Sequence, residues 1–331
     1  PIWASLHFKA REKMFTPEFN DVVAAAEAIA PFVHRTPVLT SRQLDSIAGA
    51  HLLFKCENFQ KVGAFKFRGA TNAVIRMSDE DRRRGVVTHS SGNHAAALAH
   101  AAVSRGVRAY IVMPSTAPEV KKRAVAGYGA EITFCEPTAE AREAAAAEVI
   151  RRTGATLIHP YDNFYIIAGQ GTAALELLTD HPSPDAVLAP VGGGGLLSGT
   201  AISARHLVPS VKIYGTEPIL ADDAARSFHT RTLQPPLPPR TIADGLLTSL
   251  SERTYSVISQ KVDDILTVSE EAIVEAMQLA WERMKIIIEP SSAVPLAAVL
   301  GNKSLFAGKI VAIIISGGNV DLTKLPFGQH A

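Results

Sequence analysis

The 331-residue sequence has few cysteines, no long apolar run and no visible secretory signal, and each absence excludes a class of protein. Cys56 and Cys135 are too few for a disulfide framework or a four-ligand zinc site, and this usage predicts a reducing, cytoplasmic location. The longest apolar run, Ile310–Ile315, is far shorter than the ~20 residues that span a bilayer. We therefore expect no membrane partner.

The sequence also lacks an excess of charge of one sign. There are 33 Lys and Arg residues against 32 Asp and Glu residues, which leaves a formal charge of +1. Proteins that bind nucleic acid through its phosphates usually carry a clear basic excess, so no nucleic-acid partner is expected. The hydrophobic fraction of 47% permits a sizeable core. At roughly 150 residues per domain, the length predicts two domains.

Short apolar segments alternate with longer helical stretches along the chain. Most short segments lack strict polar–apolar alternation, as expected of parallel strands that helices cover on both faces. The repetition predicts an α/β protein with parallel sheets. Helices are predicted over 17–30, behind Thr16, and over Glu270–Met284, behind Ser269. The predicted strands are 51–55, 86–89, 109–113, 132–135, 156–158, 186–190, 212–215, 264–268 and 309–315.

Four consecutive glycines follow the predicted strand at 186–190. They are Gly192, Gly193, Gly194 and Gly195, and Leu196 comes next. Without Cβ atoms, successive amides can close around a phosphate, and the dipole of a following helix adds attraction. The loop is neither a Walker A motif nor a Gly-x-Gly-x-x-Gly fingerprint. A flexible turn is the alternative, but the position between strand and helix favours phosphate binding.

Lys66 lies among apolar residues and glycines in the segment Val-Gly-Ala-Phe-Lys-Phe-Arg-Gly-Ala at 62–70. Burial among such neighbours disfavours the ammonium form, lowers the pKa and leaves a nucleophilic amine. Taken alone, this segment favours the alternative, a surface lysine on a loop.

Polar residues follow two further strands. One group is Ser90, Ser91, Gly92, Asn93 and His94, after the strand at 86–89. Hydroxyls, an amide and free backbone N–H groups at a helix N-terminus suit a carboxylate or a phosphate. A serine-capped turn with a structural histidine is the alternative. Ser316 follows the last strand and is expected in the same crevice, because ligands gather at the carboxyl ends of parallel strands.

A pair of carboxylates lies beyond the strand at 212–215. Glu217 and Asp223 are six residues apart. With the carbonyl of Ala221 between them, they suit an oxygen-loving cation such as Mg²⁺ or Ca²⁺. From composition alone, a solvated acidic turn is the favoured interpretation.

The order of these motifs resembles the fold-type II pyridoxal-phosphate enzymes, specifically the serine/threonine dehydratase family and its serine racemase branch. The resemblance runs from about Thr36 to Leu322. It includes Arg-Thr-Pro-Val-Leu at 35–39, Ile-Ala-Gly-Gln-Gly-Thr at 167–172, Ile-Ala-Asp-Gly at 242–245, Ile-Glu-Pro-Ser at 288–291 and Ser-Gly-Gly-Asn at 316–319.

The resemblance implies two parallel-sheet α/β domains of the tryptophan synthase β-like fold, with the active site in the cleft between them. A large domain would comprise 1–84 and 163–331, and a small mobile domain would comprise 85–162. A homodimer is also implied.

Carried over position by position, the resemblance implies pyridoxal 5′-phosphate as cofactor. Lys66 would bond to its aldehyde and act as a base, with Ser91 as the opposing acid/base. Ser90, Ser91, Gly92, Asn93 and His94 would hold the substrate carboxylate. The residues expected to contact the cofactor are Phe65, Lys66, Asn93, Gly192, Gly193, Gly194, Gly195, Leu196, Gly245, Glu289 and Ser316. Racemase-like relatives also hold a divalent cation (Mg²⁺, Ca²⁺ or Mn²⁺), here at Glu217, Ala221 and Asp223.

A neutral serine beside the pyridine nitrogen, in place of an aspartate, favours expulsion of a β-leaving group. The resemblance therefore implies a hydroxyamino-acid ammonia-lyase that converts serine or threonine to a 2-oxo acid and ammonia, with racemase activity through Ser91 as a further expectation. The main alternative is a 3-hydroxyaspartate dehydratase giving oxaloacetate. Its extra carboxylate needs a cationic contact, for which Arg142 or His94 is available. A β-replacement synthase and a non-catalytic ligand sensor are less favoured.

Overall fold

The structure is a computed structural model that describes residues 16–117, 119–235 and 237–327. Its strands form two sheets. The strands are β1 Val38–Leu39, β2 His51–Cys56, β3 Val86–His89, β4 Ala109–Pro114, β5 Glu131–Cys135, β6 Thr156–Leu157, β7 Ala186–Pro190, β8 Lys212–Pro218, β9 Asp264–Val268 and β10 Ile310–Ile315. The larger sheet has the order β1-β2-β10-β7-β8-β9, and the smaller has the order β5-β4-β3-β6.

Helices separate most of the strands. They are α1 Phe19–Ile29, α2 Arg42–Ala48, α3 Lys66–Ile75, α4 Asp79–Arg84, α5 Asn93–Val103, α6 Glu119–Gly127, α7 Ala139–Thr153, α8 Phe164–Asp180, α9 Gly195–Leu207, α10 Asp223–Thr230, α11 Glu252–Lys261, α12 Glu270–Met284, α13 Pro290–Gly301 and α14 Lys303–Phe306. None of these helices has the length and apolarity that crossing a bilayer requires.

Both sheets are parallel apart from one short strand, so the α/β prediction is confirmed. The exception is β1, which pairs antiparallel with β2. It was not among the predicted strands. Two residues are too few to show a period, and their pairing is a tertiary contact. The smaller sheet contains only strands from between β2 and β7, and the division at 84/85 and 162/163 stays a prediction. The mobility of 85–162 also stays a prediction.

The helices behave as their capping residues dictate, with one correction. Helix α12 spans Glu270–Met284 behind Ser269, as predicted, and the Ser269 side chain accepts from the Ala272 amide. The predicted helix at 17–30 is shorter, because α1 begins at Phe19. Its N-cap is Glu18 rather than Thr16, in a reciprocal capping box with Asp21. An acidic N-cap box at this point overrides the signal from Thr16 and Pro17.

The larger sheet is covered on both faces. Helices α2, α12 and α13 pack on one face, and α8, α9 and α10 pack on the other. In the smaller sheet, α3 and α5 contribute to one core cluster and α7 to another. Burial on both faces explains the continuous apolar runs of the central strands. It also leaves only the strand ends, where loops emerge, free to build a site.

Candidate active site

Loops that follow β2, β3, β7 and β10 line one cavity of about 560 Å³. These four strands come from both sheets, and each loop leaves its strand at the carboxyl end. The lining residues that the sequence analysis singled out are Phe65, Lys66, Ser90, Ser91, Gly92, Asn93, His94, Arg142, Gly192, Gly193, Gly194, Gly195, Leu196, Gly245, Glu289 and Ser316. The structure therefore brings the sequence-predicted cofactor and substrate residues together around one space.

Lys66 is the first residue of α3, and its amine lies in this cavity. The Nζ atom donates to the carbonyl of Pro160 at 2.9 Å and lies 5.1 Å from the centre of the Phe65 ring. Burial lowers the pKa of Lys66 to about 8, although the Glu289 carboxylate acts in the opposite direction. A lysine with this pKa carries a substantial neutral, nucleophilic fraction near neutral pH.

The glycine loop has no room for side chains on its inner turns. A Cβ atom on Gly192 would lie 2.9 Å from the Leu246 Cα, and one on Gly194 would lie 2.7 Å from a methyl of Leu250. Gly194 also has φ of 84°, a left-handed conformation that favours glycine. It is the N-cap of α9, and no side chain caps that helix end. The first-turn amides of α9 are therefore donors at the cavity wall, which fits a phosphate group.

Glu289 links the Asn93 loop to the last strand. Its carboxylate accepts from Asn93 Nδ2 at 2.8 and 3.1 Å and from the Asn319 amide at 3.1 Å. The Asn319 side chain in turn donates to Asn93 Oδ1 at 2.9 Å. Burial raises the pKa of Glu289 to about 7, and the nearby Asp244 carboxylate acts in the same direction. The network fixes the amide of Asn93 at the cavity wall.

Ser316 places an uncharged hydroxyl at the end of β10. It is buried and lies 2.9 Å, oxygen to oxygen, from the hydroxyl of Ser292. Ser292 is itself held, because its oxygen donates to the Gly317 carbonyl and accepts from the Gly317 amide, both at 2.7 Å. The Ser316 carbonyl accepts from the Phe65 amide at 2.9 Å, which joins this loop to the Lys66 segment. No carboxylate takes part in these contacts.

The loop at 90–94 contributes mainly hydroxyls and backbone groups. Ser91, Gly92 and Asn93 line the cavity at the start of α5. The imidazole of His94 is already engaged, since its Nε2 lies 3.1 Å from the Ile158 carbonyl. Burial lowers the pKa of His94 to about 3. The imidazole is therefore neutral at physiological pH, so it supplies no cationic contact. Of the two cations that the sequence offered for a second carboxylate, Arg142 is the one that carries a charge.

Sequence reasoning missed several lining residues. Lys121 of α6 forms an ion pair with Asp244, which joins the small-sheet side of the cavity to the large-sheet side. Tyr161 packs its ring directly against Gly193, where a Cβ atom would overlap with it. His159, Glu143 and Thr248 also line the cavity. Asp244 lies in Ile-Ala-Asp-Gly, and His159 and Tyr161 follow the predicted strand at 156–158, a position that could have indicated them. Lys121, Glu143 and Thr248 lie in no glycine-rich or strand-end motif.

The predicted cation residues lie apart from this cavity, at the end of β8. Both oxygens of Glu217 accept amides at the start of α10, from Ala224 at 3.2 Å and Ala225 at 2.9 Å. Burial raises the pKa of Glu217 to about 9, and the Asp223 carboxylate adds to this. The Oδ2 atom of Asp223 is buried and has no hydrogen-bond partner. Two buried, mutually repelling carboxylates fit a cation. Within the described ranges, no group of three or more His, Cys, Asp or Glu side chains is arranged to hold a metal.

The comparisons with known proteins agree with this geometry. A family model described as "Pyridoxal-phosphate dependent enzyme" matches residues 29–317. The chain is 49% identical over 314 residues to a beta-hydroxyaspartate dehydratase of Paracoccus denitrificans, covering 95% of this chain and 100% of that protein. It is 49% identical over 318 residues to a serine racemase of Dictyostelium discoideum, covering 95% and 98%.

A solved structure gives the same result in three dimensions. The crystal structure of serine racemase from Dictyostelium discoideum superposes with a TM-score of 0.89 at 49% identity, covering 93% of this chain and 100% of that one. The glycine loop at a helix N-terminus, the Lys66 amine with its lowered pKa and the match over 29–317 point the same way. The chain belongs to the pyridoxal-phosphate dependent enzyme family.

Proposed function

We propose that this protein is a hydroxyamino-acid ammonia-lyase that eliminates water from serine or threonine, with Lys66 as the catalytic base. The observation that carries the proposal is the Lys66 amine, with its pKa of about 8, in a cavity lined by both the glycine loop and the 90–94 loop. The named relatives, a serine racemase and a hydroxyaspartate dehydratase, act on amino acids of this class.

Different residues around the cavity would bind different parts of the cofactor. The amides of Gly192, Gly193, Gly194, Gly195 and Leu196 would hold the phosphate of the cofactor. Phe65, Asn93, Gly245, Glu289 and Ser316 would contact its ring. Bound pyridoxal phosphate supplies an electron sink that makes the α-hydrogen of an attached amino acid acidic.

The substrate end of the cavity holds the reacting groups. The Ser90, Ser91, Gly92 and Asn93 loop would bind the substrate carboxylate through hydroxyls and the N-terminal amides of α5. Lys66 would remove the α-proton through its neutral amine, and the β-hydroxyl would leave as water. The product hydrolyses to a 2-oxo acid and ammonia. Ser91 would serve as the opposing acid/base, which gives the enzyme a route to racemisation.

A second candidate is a 3-hydroxyaspartate ammonia-lyase, favoured by Arg142 on the cavity wall. A cationic guanidinium there is matched to a second carboxylate, and serine and threonine lack one. The dehydratase from Paracoccus denitrificans supports this candidate at the same identity as the racemase supports the first.

The experiment that tests both candidates is a substrate panel. Serine, threonine and the stereoisomers of 3-hydroxyaspartate are each scored for 2-oxo acid, ammonia and inverted amino acid. Equal molar release of 2-oxo acid and ammonia from at least one of them is expected, and Lys66→Ala should lose it by at least about 10²-fold. An unaltered rate in Lys66→Ala, or no 2-oxo acid from any member, would overturn the proposal.

Three further features belong to the proposal. Glu217, Asp223 and the Ala221 carbonyl would hold a divalent cation, which relieves the repulsion between the two carboxylates. The two free cysteines, Cys56 and Cys135, are consistent with a reducing, cytoplasmic location. The chain would function as a homodimer acting on small amino acids, with no nucleic-acid or membrane partner.

A further inference from the structure

Two residues beyond Lys66, helix α3 carries an arginine that the proposed reaction does not use. Arg68 is fully buried. Its guanidinium donates to both oxygens of Glu57, at 2.7 and 2.8 Å, and to both oxygens of Glu176, at 2.7 and 2.8 Å. Two bidentate pairs on one planar group define its position and its orientation. Arg68 cannot move without breaking contacts on both sides.

The surrounding network balances these charges. Lys55 donates to Glu176 at 2.6 Å, and the Thr36 hydroxyl donates to Glu57 at 2.6 Å. Burial opposes the charged form of Arg68, but the two carboxylates raise its pKa above the ordinary value. Buried ion pairs often stabilise a fold no better than apolar side chains of similar volume do. What they supply is a single geometry, so the network is better suited to setting a position than to adding stability.

The network ties α3 to α8, where Glu176 lies. Arg68 Nη1 also donates to the hydroxyl of Thr172 on α8, at 3.2 Å. Directly beside these contacts the two helix backbones touch. A Cβ atom on Gly169 would lie 2.6 Å from the Gly69 Cα and 2.9 Å from the Arg68 carbonyl oxygen. At this separation α3 and α8 are in direct backbone contact, so α3 cannot move closer to α8.

Helix α8 has a second close contact on its other side, with α9. A Cβ atom on Gly199 would lie 2.6 Å from the Ile167 carbonyl oxygen. The hydroxyl of Ser203 donates to the Gly171 carbonyl at 2.9 Å. Since α9 begins at the glycine loop, α8 connects the helix that carries Lys66 to the helix that carries the phosphate-binding amides. The segment at 167–172 thereby acquires a structural role.

We propose that Arg68 is a positioning residue, which sets the distance between the Lys66 amine and the glycine loop by fixing α3 against α8. The inference rests on the proposed role of Lys66. A variant that loses the bidentate pairs would keep an intact glycine loop but hold the amine out of place.

The experiment separates these two effects in the full chain freed of cofactor. Affinity for deoxypyridoxine phosphate, which lacks the aldehyde, reports on the glycine loop and the ring contacts without any bond to Lys66. The rate of covalent attachment of pyridoxal phosphate reports on the amine. In that step the Lys66 nitrogen bonds to the aldehyde carbon, water leaves, and borohydride reduces the resulting C=N bond. For Arg68→Lys, attachment should slow by about tenfold or more, because small misplacements of reacting groups carry penalties of this order. Its affinity for the analogue should change by less than about twofold.

A second variant and a control keep the result interpretable. Glu176→Gln preserves shape, removes one charge of the network and should slow attachment in the same direction. Leu44→Ala, in the apolar core on the opposite face of the large sheet, provides a destabilised control and should leave both readouts unchanged after folding is verified. Attachment at the wild-type rate in both network variants, or an equal loss of attachment and analogue affinity, would overturn the inference. Attachment to Lys66→Ala at the wild-type rate would instead contradict the proposed function.

Discussion

Arg142 is the side chain on which the choice between substrates depends most directly. It lies half-buried on α7 at the cavity wall, and its Nε donates to the Thr138 carbonyl at 3.2 Å. Replacing it removes a cation without altering the glycine loop or the 90–94 loop. Arg142→Met should therefore lower kcat/KM for 3-hydroxyaspartate by roughly tenfold to a hundredfold, the range for a lost hydrogen bond to a charged group. Activity on serine should be nearly unaffected.

A matched control exists on the same helix. Arg151 is exposed and pairs with Glu148, away from the cavity. Arg151→Met should leave kcat/KM unchanged for both serine and 3-hydroxyaspartate. If Arg142→Met lowered kcat/KM equally for serine and 3-hydroxyaspartate, Arg142 would not be the group that binds the second carboxylate.

Lys66 makes a prediction about pH. Because burial lowers its pKa from 10.5 to about 8, the neutral amine predominates above pH 8 and the ammonium below it. In the cofactor-free chain, the rate at which Lys66 reacts with an aldehyde should rise as pH increases, with a midpoint near 8. Borohydride trapping followed by peptide mapping measures this rate. A midpoint close to 10.5 would mean that the amine is solvated, contrary to the structure.

For the helices and strands, local sequence patterns predicted those features that depend on neighbouring residues. The apolar runs predicted β2 to β10, and Ser269 marked the start of α12, because burial and capping act within a few residues. The Lys66 segment, the glycine loop and the Ser316 turn were found for the same reason. Lys121 was not, since it reaches the cavity through contacts with distant residues that no local pattern records. The hydrogen bond between the His94 imidazole and the Ile158 carbonyl is another contact between distant residues that the sequence did not indicate.

The close packing of α8 and α9 gives a prediction at this scale. A Cβ on Gly199 would lie 2.6 Å from the Ile167 carbonyl oxygen, and rigid backbone on both sides cannot yield cheaply. Gly199→Ala should lower the free energy of unfolding by about 1–3 kcal/mol, as overpacking does. Gly301→Ala, at the end of α13 with open space around it, is the control and should be neutral or slightly stabilising. Thermal or denaturant unfolding measures both, and equal effects would contradict the helix contact.

At the scale of the whole molecule, the active site requires both sheets. The glycine loop, Lys66 and Ser316 follow strands of the larger sheet, while the 90–94 loop follows a strand of the smaller one. The Lys121–Asp244 ion pair connects the two sides across the cavity. In the proposed function, loops of the larger sheet hold the phosphate and a loop of the smaller sheet binds the substrate carboxylate.

The proposed cation site predicts an effect on the stability of the whole chain. A cation that binds the folded state alone stabilises it by about 2.7 kcal/mol at 100 times its Kd. Exhaustive chelation should therefore lower the Tm, and added Mg²⁺, Ca²⁺ or Mn²⁺ should restore it. Asp223→Asn should abolish this response, because Asp223 holds the unpartnered buried oxygen. Asp222→Asn is the adjacent control, paired with Arg226, and should retain the response. A Tm insensitive to chelation and to added cation would exclude the site.

We expect the Lys66 amine to anchor pyridoxal phosphate in the cavity formed by the four loops. The most direct measurement is to load the protein with the cofactor, reduce it with borohydride, digest it and locate the added mass. A single modified peptide that contains Lys66 is expected. A label on Lys121, the other lysine along this cavity wall, or no stable label at all, would contradict it.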